Sequence, residues 1–256
     1  MGVYPQSAIQ IATYHTPFAS AGAAASGVRA ALDIRGQKDI NVVTFAGDGG
    51  TFDIGLQSLS GAAERNENIF YICYDNEAYM NTGIQRSSAT PVGCWTTTTP
   101  QESLKDRPKK DIMEIMSAHS IPYAATASVA YLDDLRNKIA KGLKIFGTKF
   151  YHIISPCPVG WRFNSNLTIH LSRLAVETGL FPLYEITGGK VYTLNSISDR
   201  LIRVEDYLRL QGRFSFLTQE TVQQIQTSVT EKWQQLLLKT EISARYSKEM
   251  LKIGRS

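Results

Sequence analysis

The 256-residue sequence contains only three cysteines, Cys73, Cys94 and Cys157, and they lie far apart. So few thiols exclude the disulfide framework of a small secreted protein. A block of charge of one sign is also missing: the formal net charge is +4, and the lysines and arginines are scattered, with some concentration near the C-terminus. This distribution argues against a nucleic-acid partner.

Long apolar runs are absent as well. No stretch approaches the roughly 20 apolar residues that span a bilayer. The N-terminus lacks the charged segment followed by an apolar segment that marks a secretory signal. We therefore expect a cytoplasmic protein without a membrane partner. With 43% hydrophobic residues, the chain can bury a substantial core, and we favour one large domain over two small ones.

Short apolar, β-branched runs alternate with helical patterns along most of the chain. Helical spacing predicts helices over residues 21–32, 56–63, 112–116, 132–143, 169–177 and 219–238. Apolar runs predict strands over residues 41–46, 69–74, 123–127 and 150–154, with a hairpin through 187–190. This alternation predicts an α/β fold with a mainly parallel sheet flanked by helices. We expect one domain over residues 1–240, including a C-terminal helical extension, a basic frayed tail over 241–256, and a long loop over 85–103.

Glycines follow the first predicted strand directly, in the sequence Gly47-Asp48-Gly49-Gly50. In open α/β sheets, ligands bind beyond the carboxyl ends of the strands. Glycines permit a tight turn there, and the start of the next helix offers N–H groups to a phosphate. Asp48 has the wrong sign for that role unless Mg²⁺ lies between carboxylate and phosphate. Taken alone, a Gly-Asp-Gly sequence is more often a glycine turn with a solvated aspartate.

A second oxygen donor follows the next predicted strand. Asp75 and Asn76 come directly after residues 69–74, and the segment from Gly49 to Asp75 is just long enough for a loop, a helix and the returning strand. The two strand ends should therefore lie side by side. Asn76 offers an amide oxygen and Ala78 a backbone carbonyl, which favours a Mg²⁺–diphosphate site. We expect Asp75 to cap the loop rather than to bind the ion.

The longer string GDGGTFDIGLQSLSGAAERNENIFYICYDNEAYMNTGIQRSSATP resembles the thiamine diphosphate motif of the β subunits of pyruvate:ferredoxin oxidoreductases, within the 2-oxoacid:ferredoxin oxidoreductase family. The resemblance continues through KKDIMEIMSAHSIPYAATAS, SPCPVGW, RLAVETGLFPLYE and VEDYLRLQGRF, so it covers nearly the whole chain. It implies a thiamine-diphosphate-binding fold. The loop from Gly50 to Gly55 favours the pyruvate and branched-chain oxoacid group over the 2-oxoglutarate-type enzymes.

The resemblance also implies roles for individual residues. It gives the Mg²⁺ ligands as Asp48, Asn76 and the Ala78 carbonyl. It gives the residues that line the diphosphate as Gly47, Gly49 and Gly50. It gives the residues that approach the thiazolium ring and the substrate as Tyr79, Asn81 and Thr82. Asn81 is the candidate catalytic residue in contact with the substrate. Packing or loop hydrogen bonds explain Tyr79 and Thr82 equally well.

The implied function is that of a catalytic subunit that reversibly converts pyruvate, coenzyme A and oxidised ferredoxin to acetyl-CoA, CO₂ and reduced ferredoxin. Thiamine diphosphate supplies the decarboxylation chemistry and releases two electrons. In the family the subunit works with α, γ and δ-type subunits, and a partner subunit supplies the glutamate that activates the cofactor. The same chemistry on 2-oxoisovalerate or oxalate is an alternative. Further alternatives are a cluster-less structural or assembly subunit and an unrelated Mg²⁺-phosphate-binding protein, which leaves residues 79–83 unexplained.

The family's β subunit carries a [4Fe–4S] cluster held by four cysteines, and only Cys157 matches one of them. One cysteine cannot hold a four-thiolate cluster. We expect Cys73 to be a core residue and Cys94 an unligated thiol in the long loop. The family's other three cluster cysteines lie upstream of the region that Met1 to Pro5 resembles. We therefore expect that the segment is missing from this sequence, lies on another chain, or was lost together with the cluster.

Overall fold

The computed structural model describes residues 10–195 and 201–253, with side chains described as far as residue 246. The helices are α1 (Ala21–Ile34), α2 (Leu56–Glu64), α3 (Ile112–Ala118), α4 (Leu132–Gly142), α5 (Pro158–Trp161), α6 (Thr168–Glu177), α7 (Val204–Leu208) and α8 (Gln219–Ile253). The strands are β1 (Val42–Gly47), β2 (Ile69–Asp75), β3 (Tyr123–Ser128), β4 (Lys149–Ile154), β5 (Tyr184–Thr187) and β6 (Val191–Leu194).

These strands form one sheet in the order β1-β2-β4-β3-β5-β6. The first four are mutually parallel, whereas β5 and β6 pair antiparallel at one edge. β2 and β3 are buried along almost their whole length, as expected of central strands covered on both faces. The prediction of an α/β fold with a mainly parallel sheet is confirmed.

The two faces of the sheet bury alternate residues of the same strands. Along β2, Tyr71 and Cys73 pack into one hydrophobic cluster, while Phe70 and Ile72 pack into another. The prediction that Cys73 is a core residue is thereby confirmed. A further cluster surrounds Trp161 and joins α6, α7 and the start of α8. In the described part of the chain, no helix is both long enough and apolar enough to span a membrane.

The predicted helices and strands are all present, with small shifts at their ends, and the hairpin through 187–190 joins β5 to β6. The predicted end of the last helix at Leu238 was wrong, because α8 runs to Ile253 and includes most of the segment that we assigned to a frayed tail. The helix continues because this stretch packs on β6. Leu236 is buried there, and the Tyr192 backbone N–H donates to Ser243 Oγ at 2.9 Å.

Candidate functional site

The candidate site lies where β1 and β2 end. The two strands are parallel neighbours, with Gly47 in register with Tyr74, so the segments that follow them emerge side by side. Beyond β1, residues Gly49–Asp53 form a π-helical turn, a rare conformation that is frequent at functional sites. The predicted adjacency of the two strand ends is therefore present.

Three polar groups converge between these segments. One polar atom of the Asn76 side-chain amide lies 2.8 Å from the Ala78 carbonyl oxygen and 2.9 Å from Asp48 Oδ1. If this atom is the amide nitrogen, it donates to both oxygens. If it is the amide oxygen, three acceptors face one another and need a cation between them. Oxygen ligands at right angles around Mg²⁺, each at about 2.0–2.1 Å, lie about 2.8–3.0 Å apart, so the spacing fits such an ion.

Asp48 is a buried carboxylate, only 1% exposed. Burial raises the pKa of Asp48, and the nearby negative charge of Asp75 raises it further. Its Oδ2 accepts a hydrogen bond from Ser87 Oγ at 2.5 Å, but no Lys or Arg forms an ion pair with it within the described residues. A carboxylate in this setting favours a bound cation as its counter-charge.

Gly49 lies beneath the ring of Tyr79. A Cβ atom at this position would lie 2.4 Å from Tyr79 Cε1, so no other residue fits while the ring stays in place. The ring is held because Tyr79 Oη donates to Asp53 Oδ2 at 3.0 Å. The backbone of the glycine turn therefore stays bare of side chains at Gly49, as a close approach to a diphosphate requires.

Asn81 and Thr82 lie at the tip of a tight loop, exposed to solvent. The loop is closed at its base by the Tyr79 N–H, which donates to the Gln85 carbonyl at 2.9 Å. Thr82 Oγ1 donates to Gln85 Oε1 at 2.5 Å, so its hydroxyl already serves the loop. The Asn81 side chain makes no hydrogen bond to any described residue. The structure thus brings together the predicted residues from Gly47 to Tyr79, and it places Asn81 and Thr82 at the open edge of the same site.

Asp75 has the capping role that the sequence suggested, since its Oδ1 accepts the backbone N–H of Glu77 at 2.9 Å. It also belongs to a buried charged network that the sequence did not reveal. Asp75 Oδ2 lies 2.5 Å from Lys109 Nζ and 2.7 Å from His152 Nε2. Glu77 lies 3.0 Å from Lys109 and 2.7 Å from Arg213.

The charges of this network shift the pKa values of Lys109 and Asp75 in opposite directions. Burial alone would lower the pKa of Lys109, but the carboxylates of Asp75 and Glu77 outweigh it and raise that pKa above its usual value. Burial would likewise raise the pKa of Asp75, but Lys109 and His152 together lower it. Asp75 and Glu77 are therefore neutralised by Lys109 and Arg213. Among the described carboxylates at these strand ends, Asp48 is the one without an ion-pair partner.

Cys157 lies close to the same site. It is half-buried at the start of α5, where its Sγ accepts the Gly160 N–H at 3.4 Å. A Cβ on Gly160 would lie 2.2 Å from Met80 Sδ and 3.5 Å from Cys157 Sγ, so the thiol is next to the loop that carries Asn81. Cys94 is buried instead, and burial raises the pKa of its thiol to about 11. Among the described residues, His, Cys, Asp and Glu side chains form no group of three or more that could hold a metal.

A mainly parallel sheet with a glycine turn and an amide–carboxylate pair at adjacent strand ends is the arrangement that the resemblance to thiamine-diphosphate-binding domains implies. The model of the C-terminal TPP-binding domain of thiamine pyrophosphate enzymes matches residues 1–153, and the chain belongs to this family.

Two relatives show which branch of the family this is. Pyruvate synthase subunit PorB of Methanothermobacter marburgensis is 52% identical over 236 residues, covering 91% of this chain and 82% of its own length. Ketoisovalerate oxidoreductase subunit VorB of Pyrococcus abyssi is 48% identical over 251 residues, covering 94% of this chain and 80% of its own. The chain thus belongs to the family of 2-oxoacid:ferredoxin oxidoreductase subunits.

A solved structure shares the fold. It is a 2-oxoglutarate:ferredoxin oxidoreductase from Magnetococcus marinus with 2-oxoglutarate, coenzyme A and succinyl-CoA bound, and it matches with a TM-score of 0.50 at 24% identity. The match covers 61% of this chain and spans 58% of the solved chain. The likeness supports the α/β architecture described above.

Proposed function

We propose that this chain binds thiamine diphosphate through a Mg²⁺ ion held by Asp48, the Asn76 amide oxygen and the Ala78 carbonyl. The observation that carries the proposal is the convergence of these three groups at 2.8 and 2.9 Å. Asp48 also brings a buried carboxylate that has no ion-pair partner among the described residues, and a divalent cation would stabilise its charged form. The family match supports the same cofactor, because the matched domain is a TPP-binding domain.

The chain's own residues prepare the site for the diphosphate. Gly47, Gly49 and Gly50 present backbone without side chains, and the π-helical turn Gly49–Asp53, which includes two of these glycines, would offer N–H groups to phosphate oxygens. Tyr79 covers the turn from one side. Bound thiamine diphosphate supplies the carbanion chemistry by which 2-oxoacids are decarboxylated. Asn81, exposed at the open edge, is the residue that we propose to contact the substrate.

Pyruvate is the substrate we propose, converted reversibly with coenzyme A and ferredoxin to acetyl-CoA, CO₂ and reduced ferredoxin. The identity with a PorB subunit supports it, and the identity with VorB subunits keeps 2-oxoisovalerate as the alternative. Oxalate remains a further alternative. We propose a cytoplasmic complex with α, γ and δ-type subunits, since the relatives are named as subunits.

Cys157 is the residue that we propose as a ligand of a [4Fe–4S] cluster, provided that other cysteines join it. The other two cysteines of this sequence, Cys73 and Cys94, are both buried in hydrophobic clusters. The cluster therefore belongs to the complete assembly. A cluster-less subunit that binds thiamine diphosphate for assembly alone is the second candidate function.

Replacing Asp48 by alanine tests the binding site. We expect Asp48→Ala to abolish Mg²⁺-dependent binding of thiamine diphosphate, measured by titration calorimetry on the assembled complex, because it removes the only charged ligand. Asp133→Ala is the matched control, since Asp133 has a 96% exposed side chain and lies in α4. Unchanged affinity in Asp48→Ala would contradict the proposed site.

A further inference from the structure

Residues 75–78 carry two of the three converging groups, and they follow an unusual backbone path. Glu77 has φ of +66°, in the left-handed region that residues other than Gly, Asn and Asp seldom adopt. Only residue 77 lies between Asn76 and Ala78, and the backbone changes direction there. The Ala78 carbonyl consequently faces the Asn76 side chain and Asp48. The position of Ala78 therefore depends on an unfavourable conformation at Glu77.

The Glu77 side chain is held from two sides. Its Oε1 lies 3.0 Å from Lys109 Nζ, and its Oε2 lies 2.7 Å from Arg213 Nη2. Arg213 is itself 1% exposed, and its guanidinium lies 3.8 Å from the centroid of the Trp161 ring. The Trp161 indole N–H in turn donates to the Asn76 carbonyl at 2.7 Å. Both the carboxylate and the preceding peptide are thus fixed by buried groups.

The neighbouring carbonyl groups all have donors. Ser155 N–H donates to the Asp75 carbonyl at 2.8 Å, and Thr90 Oγ1 donates to the Glu77 carbonyl at 2.7 Å. Within the described residues, the Ala78 carbonyl has no possible donor apart from the Asn76 amide. The network therefore satisfies each carbonyl of the turn except the one that faces Asp48.

We propose that Glu77 is a positioning residue: its carboxylate, held between Lys109 and Arg213, keeps residue 77 in the left-handed conformation and so aims the Ala78 carbonyl at the metal. This inference rests on the proposed Mg²⁺ site. The buried network then positions a metal ligand in addition to neutralising its own charges. A purely structural ion pair would support the fold equally but would leave the affinity for the cation unaffected.

Two variants separate the backbone role from the loss of charge. Glu77→Ala and Glu77→Gly both remove the carboxylate, but glycine adopts the left-handed conformation freely, whereas alanine does not. A segment that rests in another conformation must be returned to the binding one, and its apparent affinity falls accordingly. We expect both variants to bind more weakly than the unaltered protein, and Glu77→Ala to bind about tenfold more weakly than Glu77→Gly.

The measurement uses Mn²⁺ in place of Mg²⁺. The full chain, purified with its partner subunits, is titrated with Mn²⁺ at saturating thiamine diphosphate, and the free ion is followed by its EPR signal. Glu185→Gln is the matched control, because Glu185 is a similarly buried carboxylate paired with Lys141 and bonded to Tyr123, far along the sheet. It should lower the melting temperature and leave the Mn²⁺ affinity unchanged.

Equal affinities of Glu77→Ala and Glu77→Gly, or unaltered affinity in both, would overturn the inference. Should Glu77→Ala fail to fold, Glu77→Asn and Glu77→Ser repeat the comparison, because asparagine adopts positive φ several-fold more readily than most residues. The asparagine variant should then bind more tightly. Asp48→Ala in the same titration separates failure of the proposed metal site from failure of the positioning role. Retained Mn²⁺ binding in Asp48→Ala contradicts the site itself. Loss of binding in Asp48→Ala, together with equal affinities of the two Glu77 variants, contradicts only the positioning role.

Discussion

At the scale of single residues, the site depends on side chains that are absent as much as on those present. Gly49 leaves room for the Tyr79 ring, which is anchored on Asp53. Any side chain at residue 49 would push the ring off the turn or twist the turn itself. The glycine at this position thus links the shape of the π-helical turn to the position of an aromatic ring from the next strand end.

Gly49→Ala should therefore weaken thiamine diphosphate binding by at least about tenfold, because relieving a 2.4 Å contact requires a shift of the ring or the backbone. Calorimetric titration at saturating Mg²⁺ measures this. Gly27→Ala is the control: it lies inside α1 with nothing within 4 Å of the new Cβ. It should leave binding intact and stabilise the chain by about 0.5–1 kcal/mol. Wild-type affinity in Gly49→Ala would show that Tyr79 is not fixed over the turn.

At the scale of elements, the central strand β4 begins with a buried lysine. Lys149 is 1% exposed; its Nζ donates to Asn68 Oδ1 at 2.6 Å and lies 4.4 Å from the Phe70 ring centroid. No carboxylate is within ion-pair distance among the described residues. Burial lowers the pKa of the Lys149 ammonium to about 8, and the positive charge of Arg29 contributes to the same shift.

This shift predicts a pH dependence of stability. The unfolded chain binds the Lys149 proton with a pKa near 10.4, so below about pH 8 the folded state carries the full penalty of a buried charge. The penalty disappears as the pH rises towards about 10.4, and the free energy of unfolding should therefore increase over this window.

Urea denaturation between pH 7 and 10 tests this prediction. Lys149→Met should reduce the increase, whereas the exposed Lys144→Met should retain it in full. Part of the increase should remain in Lys149→Met, because burial also lowers the pKa of Lys105 to about 8. Parallel pH profiles for Lys149→Met and the unaltered protein would contradict the assignment to Lys149.

Elements of the fold could be predicted because their signals are local. The apolar run that became β2 and the spacing that became α4 depend on neighbours in sequence. Asp48 and Asn76 could be placed together because parallel strands end at one edge of a sheet. Arg213 and Trp161 could not, since their contacts with Glu77 and Asn76 join distant parts of the chain. The end of α8 was missed because its packing on β6 overrides a polar local sequence.

At the scale of the whole molecule, the substrate is the part of the proposal that the family alone does not decide. PorB and VorB relatives have similar identities to this chain. We expect the assembled complex to reduce ferredoxin in a coenzyme A-dependent reaction with pyruvate at a higher kcat/KM than with 2-oxoisovalerate or oxalate. A higher kcat/KM for 2-oxoisovalerate would instead indicate that the complex acts on branched-chain 2-oxoacids. Asn81→Ala in the same assay should raise KM for the 2-oxoacid while leaving Mn²⁺ affinity unchanged.

The contact between Glu77 and Arg213 spans 136 positions of the sequence. During synthesis, all six strands of the described sheet and α7 therefore leave the ribosome before Arg213 can contact Glu77. A nascent chain that ends before Arg213 has both strand ends and Lys109, but it lacks the second of the two cations that hold the Glu77 carboxylate. If the proposed positioning role holds, the site therefore reaches its full affinity for the cation only late in biogenesis, after Arg213 has been synthesised.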